Sequence, residues 1–252
     1  MRFAKVMILG VFALGLVPLQ TALAGSQSNL YASGGIWAKD YLGEFTRTQS
    51  VVDLEQDLVV DEDNFSDLYG ALEYGVPGLP HVRAQKFSFD TDDHSVLSRA
   101  IAFDSQDFNV AQSLDTIVDI EQTDAVLYYP ILDKALSLDL GVTVSYFEGS
   151  IEMTDRTQRG NADFEEFVPM LYVKARTDLP VRGLWLGAQA QGVSYADTSM
   201  AEFNAQLGWE HRVGLGLEAG YRVVRLELDD FDEVQYVELE VSGPYAALRY
   251  HF

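Results

Sequence analysis

Cysteine is missing from the chain, so neither a disulfide framework nor a thiolate metal centre can hold it together. Basic side chains are scarce: Lys and Arg number 17 against 39 Asp and Glu, a formal charge of -22. Binding nucleic acid requires cations that displace the counterions of the phosphate backbone, so the balance argues against nucleic acid as a partner. Long apolar runs are also missing. Only the stretch from Val6 to Val17 comes close, and it is shorter than the roughly 17–25 residues a membrane helix needs.

That stretch has the build of a secretory signal. Arg2 and Lys5 supply a positive n-region, and Ala22-Leu23-Ala24 fits an A-x-A cleavage site ahead of Gly25. An uncleaved membrane anchor is the alternative. The chain therefore divides into residues 1–24, a cleaved signal peptide, and residues 25–252, one domain. If that domain meets a membrane, it does so with strands.

What the sequence has in abundance is period-2 alternation. In "LSLDLGVTVSY", Leu136, Leu138, Leu140, Val142, Val144 and Tyr146 share one face, and Ser137, Asp139, Gly141, Thr143 and Ser145 the other. Phe167, Pro169, Leu171, Val173 and Ala175 oppose Glu166, Lys174 and Arg176. Ala201, Phe203, Ala205, Leu207 and Trp209 oppose Glu202, Asn204, Gln206 and Glu210. Similar rows recur around Ile36, Leu186 and Leu217. Segments of about ten alternating residues, repeated many times, are the mark of transmembrane β-strands. The fold expected is all-β, an antiparallel transmembrane β-barrel of about ten strands, with eight or twelve also open. The strands fall near 28–40, 65–76, 80–90, 111–128, 134–148, 164–177, 183–195, 199–212, 214–228 and 233–252. The third and fourth alternate poorly. The last changes parity at Ser242-Gly243-Pro244, which predicts a β-bulge.

Connections after even strands are short ("VPGL", "YPILDK", "TDLPVR", "RVG"). Several after odd strands are longer and acidic, such as "DTDDHSVLSRAIAFDSQDF" and "GSIEMTDRTQRGNAD". That asymmetry matches periplasmic turns and extracellular loops. An even strand number puts both termini at the periplasmic rim, where the last strand closes on the first. Tyr74, Tyr128, Tyr129, Trp209, Tyr250 and Phe252 are the candidates for interfacial aromatic girdles. A soluble β-sandwich is the fold-level alternative.

The end of the chain, with Leu248, Tyr250 and Phe252 at alternate positions, resembles the signal read by the barrel-assembly machinery. With Gly34-Gly35, Trp37, Pro244-Tyr245 and Tyr250-His251-Phe252, the domain also resembles the GlyGly-type bacterial outer-membrane protein family. The resemblance implies an outer-membrane barrel exported through the periplasm. It implies no activity.

The opposite rows carry Lys39, Glu73, Asp139, Glu166, Lys174, Arg176, Glu202, Glu210, Glu218, Arg222 and Arg249. In a barrel this narrow, side chains nearly fill the interior, so mixed signs predict a structural salt-bridged network. The sharper reading is a narrow channel for small solutes lined by these charges. His94, in "DTDDHS" with Asp92 and Asp93, could serve as a general base oriented by a carboxylate. Omptin-type outer-membrane proteases, with ten strands and Asp and His at the mouth, have that architecture. A solvated polar loop is the plainer reading. No metal spacing is found and no cofactor is expected. Loosely bound Ca²⁺ or Mg²⁺ at the acidic loops suits hard-cation chemistry and would bridge them to lipopolysaccharide. The expected partners are outer-membrane lipid, lipopolysaccharide and the assembly machinery, with the protein a monomer.

Overall fold

The computed structural model describes residues 29–47, 50–53, 68–75, 79–97, 100–103, 106–110, 112–195, 198–231 and 234–252. The signal peptide expected at residues 1–24, and the acidic run at residues 54–67, lie outside the described residues.

Strands β1 (Asn29–Trp37) and β2 (Asp40–Arg47) pair with the same partner in one register, and together form the first stave of the wall. β3 (Ser50–Asp53) folds back on β2. The wall continues through β4 (Leu68–Gly75), β5 (His81–Val96), β8 (Ser113–Asp133), β9 (Leu136–Thr154), β10 (Arg159–Asp178), β11 (Leu184–Tyr195), β12 (Thr198–Glu210), β13 (Leu215–Phe231) and β14 (Val234–His251). A small hairpin, β6 (Ile101–Phe103) with β7 (Gln106–Phe108), lies between β5 and β8. Every pairing is antiparallel and between neighbours, and β14 pairs with β1. The result is a closed antiparallel barrel of ten staves. Closure matters because a sheet in hydrocarbon must satisfy its own backbone and can have no edge there.

Outward rows are apolar where the alternation is cleanest. Leu140, Val142, Leu171, Leu186, Leu207, Leu217 and Leu248 are exposed on the outer surface. Tyr129, Trp209, Tyr250 and Phe252 sit at its margin, also outward. Tyr128 does not join them: it points inward, 2% exposed. Neighbours on a strand face opposite sides, so Tyr128 and Tyr129 cannot both belong to a girdle.

The bulge expected at Ser242-Gly243-Pro244 is not formed. The register against β13 runs unbroken, Tyr221↔Pro244, Arg222↔Gly243 and Val223↔Ser242. The sequence changes character there for another reason. Leu239 and Val241 share the inward row with Tyr245, Ala247 and Arg249, and pack into an apolar layer inside the barrel. The chain interrupts its regular pairing instead at Ala38 and Lys39, where the Ala38 amide donates to the Pro244 carbonyl at 3.0 Å.

Several strands exceed their expected spans. β8, β9 and β10 hold 21, 19 and 20 residues, about twice the 9–11 a bilayer requires. The segment read as a loop at residues 149–163 is mostly strand, with only Asp155 to Gln158 turning. The rim opposite the chain ends (the far rim) is therefore tall along β5, β8, β9 and β10. It drops at β11 and β12, whose last pair is Tyr195↔Thr198.

Candidate functional site: a filled lumen and an acidic outer wall

The inward rows build three levels. Nearest the chain ends lies an ionic cluster around Glu73. Its carboxylate accepts from Lys174 Nζ at 3.0 and 3.2 Å and from the Tyr128 hydroxyl at 2.7 Å, and Arg83 Nη1 stands 3.7 Å away. Glu218 lies nearby, 2.7 Å from the Tyr245 hydroxyl and 3.9 Å from Arg249 Nη1. The Arg249 guanidinium stacks over Tyr31 at 4.1 Å.

The second level centres on Asp124, which is fully buried. It accepts hydrogen bonds from Gln85 Nε2 at 2.5 Å, Gln122 Nε2 at 2.9 Å, Ser145 Oγ at 2.5 Å and Gln191 Nε2 at 2.9 Å. Gln191 also reaches Glu202 at 2.8 Å, and Glu202 forms an ion pair with Arg222. A buried carboxylate is tolerated when it is this fully paired.

The third level is apolar. Trp37, Phe87, Phe147, Val168, Met170, Met200, Val224 and Val241 meet across the lumen, with Ile120, Phe164, Val193, Leu226 and Leu239 packed against them. Arg222 joins the two upper levels, its guanidinium 3.4 Å above the Phe87 ring.

Small residues make room for this filling. A Cβ on Gly208 would lie 2.1 Å from the Trp185 indole, and one on Gly220 2.6 Å from the Tyr245 ring. Two of the cavities left inside measure about 20 and 10 Å³, room for about one water in the larger.

Of the inward charges read from the sequence, Lys39, Lys174, Glu202, Glu218, Arg222 and Arg249 are buried and Glu73 is nearly so. Lys39 donates to the Ser88 carbonyl. Asp139 and Glu166 are half-buried. Arg176 reaches Asp178 at 3.4 Å and stacks over Trp185 at 4.3 Å, while Glu210 stands 3.3 Å from His251 Nδ1. The structure adds Arg83, Gln85 and Asp124, which the sequence reading missed, and joins to them Gln191, which the alternation around Leu186 sets on the polar face. They lie on β5, β8 and β11. On β5 the polarity inverts partway: Lys86 points out and Phe87 in, because the apolar layer lies inside at that height. A buried Arg83-x-Gln85 row flanked by Val82 and Ala84 was the available signal.

The outer surface changes character above the girdle pair Tyr146 and Phe167, whose rings lie tilted with centroids 4.6 Å apart. Glu121, Glu148 and Glu165 then stand side by side on β8, β9 and β10, with Asp119 and Asp163 one step higher. Lys86 pairs with Glu121 at 2.7 Å and Arg159 with Glu152 at 2.5 Å. His94 lies on this exposed outer wall, outside the lumen. Its Nδ1 is 2.5 Å from Asp115 of the neighbouring strand. Asp92 is exposed two residues away, and the side chain of Asp93 lies outside the described residues. No group of carboxylates or imidazoles among the described residues has the geometry of a metal site.

No protein-family model matches the chain, and a search of curated proteins finds none similar in sequence. Solved structures are similar in fold. The outer membrane protease OmpT from Escherichia coli superposes with a TM-score of 0.51 at 12% identity, over 89% of this chain and 96% of that one. Neisserial surface protein A gives 0.32 at 10% identity, over 89% and 97%. The Pseudomonas putida toluene transporter TodX gives 0.34 at 8% identity, over 89% of each chain. At such identities the likeness speaks to architecture alone.

Proposed function

We propose that this chain is a sealed, non-enzymatic outer-membrane barrel that works through the acidic wall it presents to the outside. The observation that carries this reading is the filled lumen. Lys39, Arg83, Lys174, Arg222 and Arg249 stand against Glu73, Asp124, Glu202 and Glu218, a near balance within interlocking hydrogen bonds. An ion path needs continuous water or exchangeable ligands, and the apolar layer supplies neither. The rim carrying the chain ends then faces the periplasm, reached by export behind the signal peptide. The tall rim faces out, among lipopolysaccharide headgroups. Divalent cations held loosely by the Glu121, Glu148 and Glu165 row would offset repulsion between those carboxylates and the anionic lipid. The Gly34-Gly35 and Tyr250-His251-Phe252 features fit membership of the GlyGly-type family and delivery by the assembly machinery, with a monomeric product.

Planar-bilayer recording tests the central point. The purified barrel should insert without discrete conductance steps, and reproducible single-channel openings would replace this reading with the narrow-channel one. A second reading, a surface hydrolase, is favoured by one observation, the His94–Asp115 pair at 2.5 Å. Both side chains stand mostly in solvent, His94 64% and Asp115 62% exposed. The same preparation should leave peptide and lipid ester substrates intact, with wild type and His94→Ala indistinguishable.

A further inference from the structure

Three consecutive connections on the rim of the chain ends share a design. They join β8 to β9, β10 to β11 and β12 to β13. Each carries a cation at its tip: Lys134 after Asp133, Arg182 after Val181, and Arg212 after His211. The two arginines are the second residues of tight turns. Leu184 N–H donates to the Val181 carbonyl at 3.0 Å in one, and Gly214 N–H to the His211 carbonyl at 2.9 Å in the other. Gly183 and Gly214 allow the chain to turn there, with φ of 78° and 83°, in the left-handed region that other residues rarely enter. All three cationic side chains are exposed. Exposed aliphatic residues stand beside each of them: Ile131 and Leu132, Val181, and Val213.

Elsewhere on the outside, cations are matched by carboxylates, Lys86 by Glu121, Arg159 by Glu152 and Arg225 by Glu240. Lys134, Arg182 and Arg212 form no ion pair among the described residues. The carboxylates near the two arginines are engaged, Asp178 by Arg176 at 3.4 Å and Glu210 by His251 at 3.3 Å. Asp133, exposed next to Lys134, offsets one of the three. The girdle fixes their depth. Arg212 follows Trp209 by three residues and Lys134 follows Tyr129 by five, while Leu184, two residues past Arg182, pairs with Trp209. Those spacings carry the cations roughly 7–13 Å beyond the aromatic rings. A headgroup layer is about 5–8 Å thick on each side, and long Lys and Arg side chains can reach back into it.

We infer that this arc of turns binds the headgroups of anionic phospholipids, with its aliphatic residues at the edge of the hydrocarbon and its three cations on the phosphates. A wall polymer or an acidic protein would match the cations but leave Ile131, Val181 and Val213 in water. A lipid surface takes both, since apolar burial and attraction to anionic headgroups act together there. Cations without carboxylates favour a headgroup of net negative charge over a zwitterionic one, whose own ammonium would stand among them. The inference rests on the membrane placement proposed above and not on a sealed lumen.

Trp209 is a built-in reporter, because the other two tryptophans, Trp37 and Trp185, are buried in the lumen. The full mature barrel is placed in vesicles of equal parts phosphatidylcholine and phosphatidylglycerol, with bromine on the chains of one lipid or the other. Brominated phosphatidylglycerol should quench Trp209 more strongly, as though that lipid were enriched about fivefold beside it. High salt should remove the enrichment. So should Lys134→Gln, Arg182→Gln and Arg212→Gln together, with the heat-dependent gel shift unchanged. Should the triple variant not fold, the salt titration of wild type and the single variant Arg212→Gln, which should lose part of the preference, decide the matter. Equal quenching by the two lipids in wild type, or a preference that neither salt nor substitution moves, overturns the inference. Capture of the barrel on purified peptidoglycan, lost in the variant and without any lipid preference, also overturns it and gives the arc to the wall polymer. None of these results bears on the conductance record, so the sealed-barrel reading stands or falls separately.

Discussion

Arg222 shows how much one side chain does in this lumen. It neutralises Glu202 and caps the apolar layer over Phe87 and Trp37. Arg222→Ala leaves a buried carboxylate without its cation, which costs about 3–5 kcal/mol. Urea unfolding in liposomes should move to correspondingly lower denaturant. Asp155, in the exposed turn between β9 and β10, responds to pH. Its carboxylate accepts the Thr157 and Gln158 amides at 2.6 and 2.8 Å, and those bonds hold its pKa below the usual carboxylate range. A lowered folded value means the turn gains from the charged form above the unfolded pKa of about 3.9. That gain is lost as pH falls through the folded value. Amide exchange at Thr157 and Gln158 should stay slow at neutral pH and rise only in strong acid, and Asp155→Ala should remove the dependence. At this scale the sequence was readable where alternation was clean. Lys174, Glu202, Glu218, Arg222 and Arg249 are all visible as polar positions between apolar ones. Asp124 was hidden because its row also carries Val126 and Tyr128, which look like lipid-facing residues and are not.

Among the elements, β9 tests the lipid-facing assignment most directly. Val142 lies in its outward apolar row, between Leu140 and Val144, midway between the levels of Tyr129 and Tyr146. Val142→Arg should destabilise the barrel by about 2–4 kcal/mol, the cost of a cation near the bilayer midplane. Thr143→Arg on the other face would instead crowd Gln191. Folding yield into bilayers, read as the heat-dependent gel shift, separates Val142→Arg from wild type. The ten staves were legible from repetition, but their lengths were not. The outer end of β8 fell within the strand expected at 111–128, but the outer ends of β9 and β10, within residues 149–163, were read as a loop, because Ser150, Glu152, Asn161 and Asp163 stand there where a lipid-facing row would carry apolar residues. The supposed bulge in β14 has the same origin. Val241 obeys the strand's parity, and only the expectation that every apolar residue faces lipid made it look displaced.

As a whole molecule, the barrel divides into an outer surface adapted to hydrocarbon over roughly half its height and a wall of acidic strands above it. Architecture followed from alternation and the connections between strands. The filled interior followed only in part, because inward apolar residues such as Phe147 and Met170 carry no mark that distinguishes them from outward ones. The mid-lumen layer of Trp37, Phe87, Phe147, Met170 and Met200 has a consequence for the cell. On the sealed-barrel reading proposed above, abundance would be uncoupled from leakage: many such cylinders would add no more proton or solute flow than one, so an envelope could carry their acidic crowns in number without surrendering its barrier.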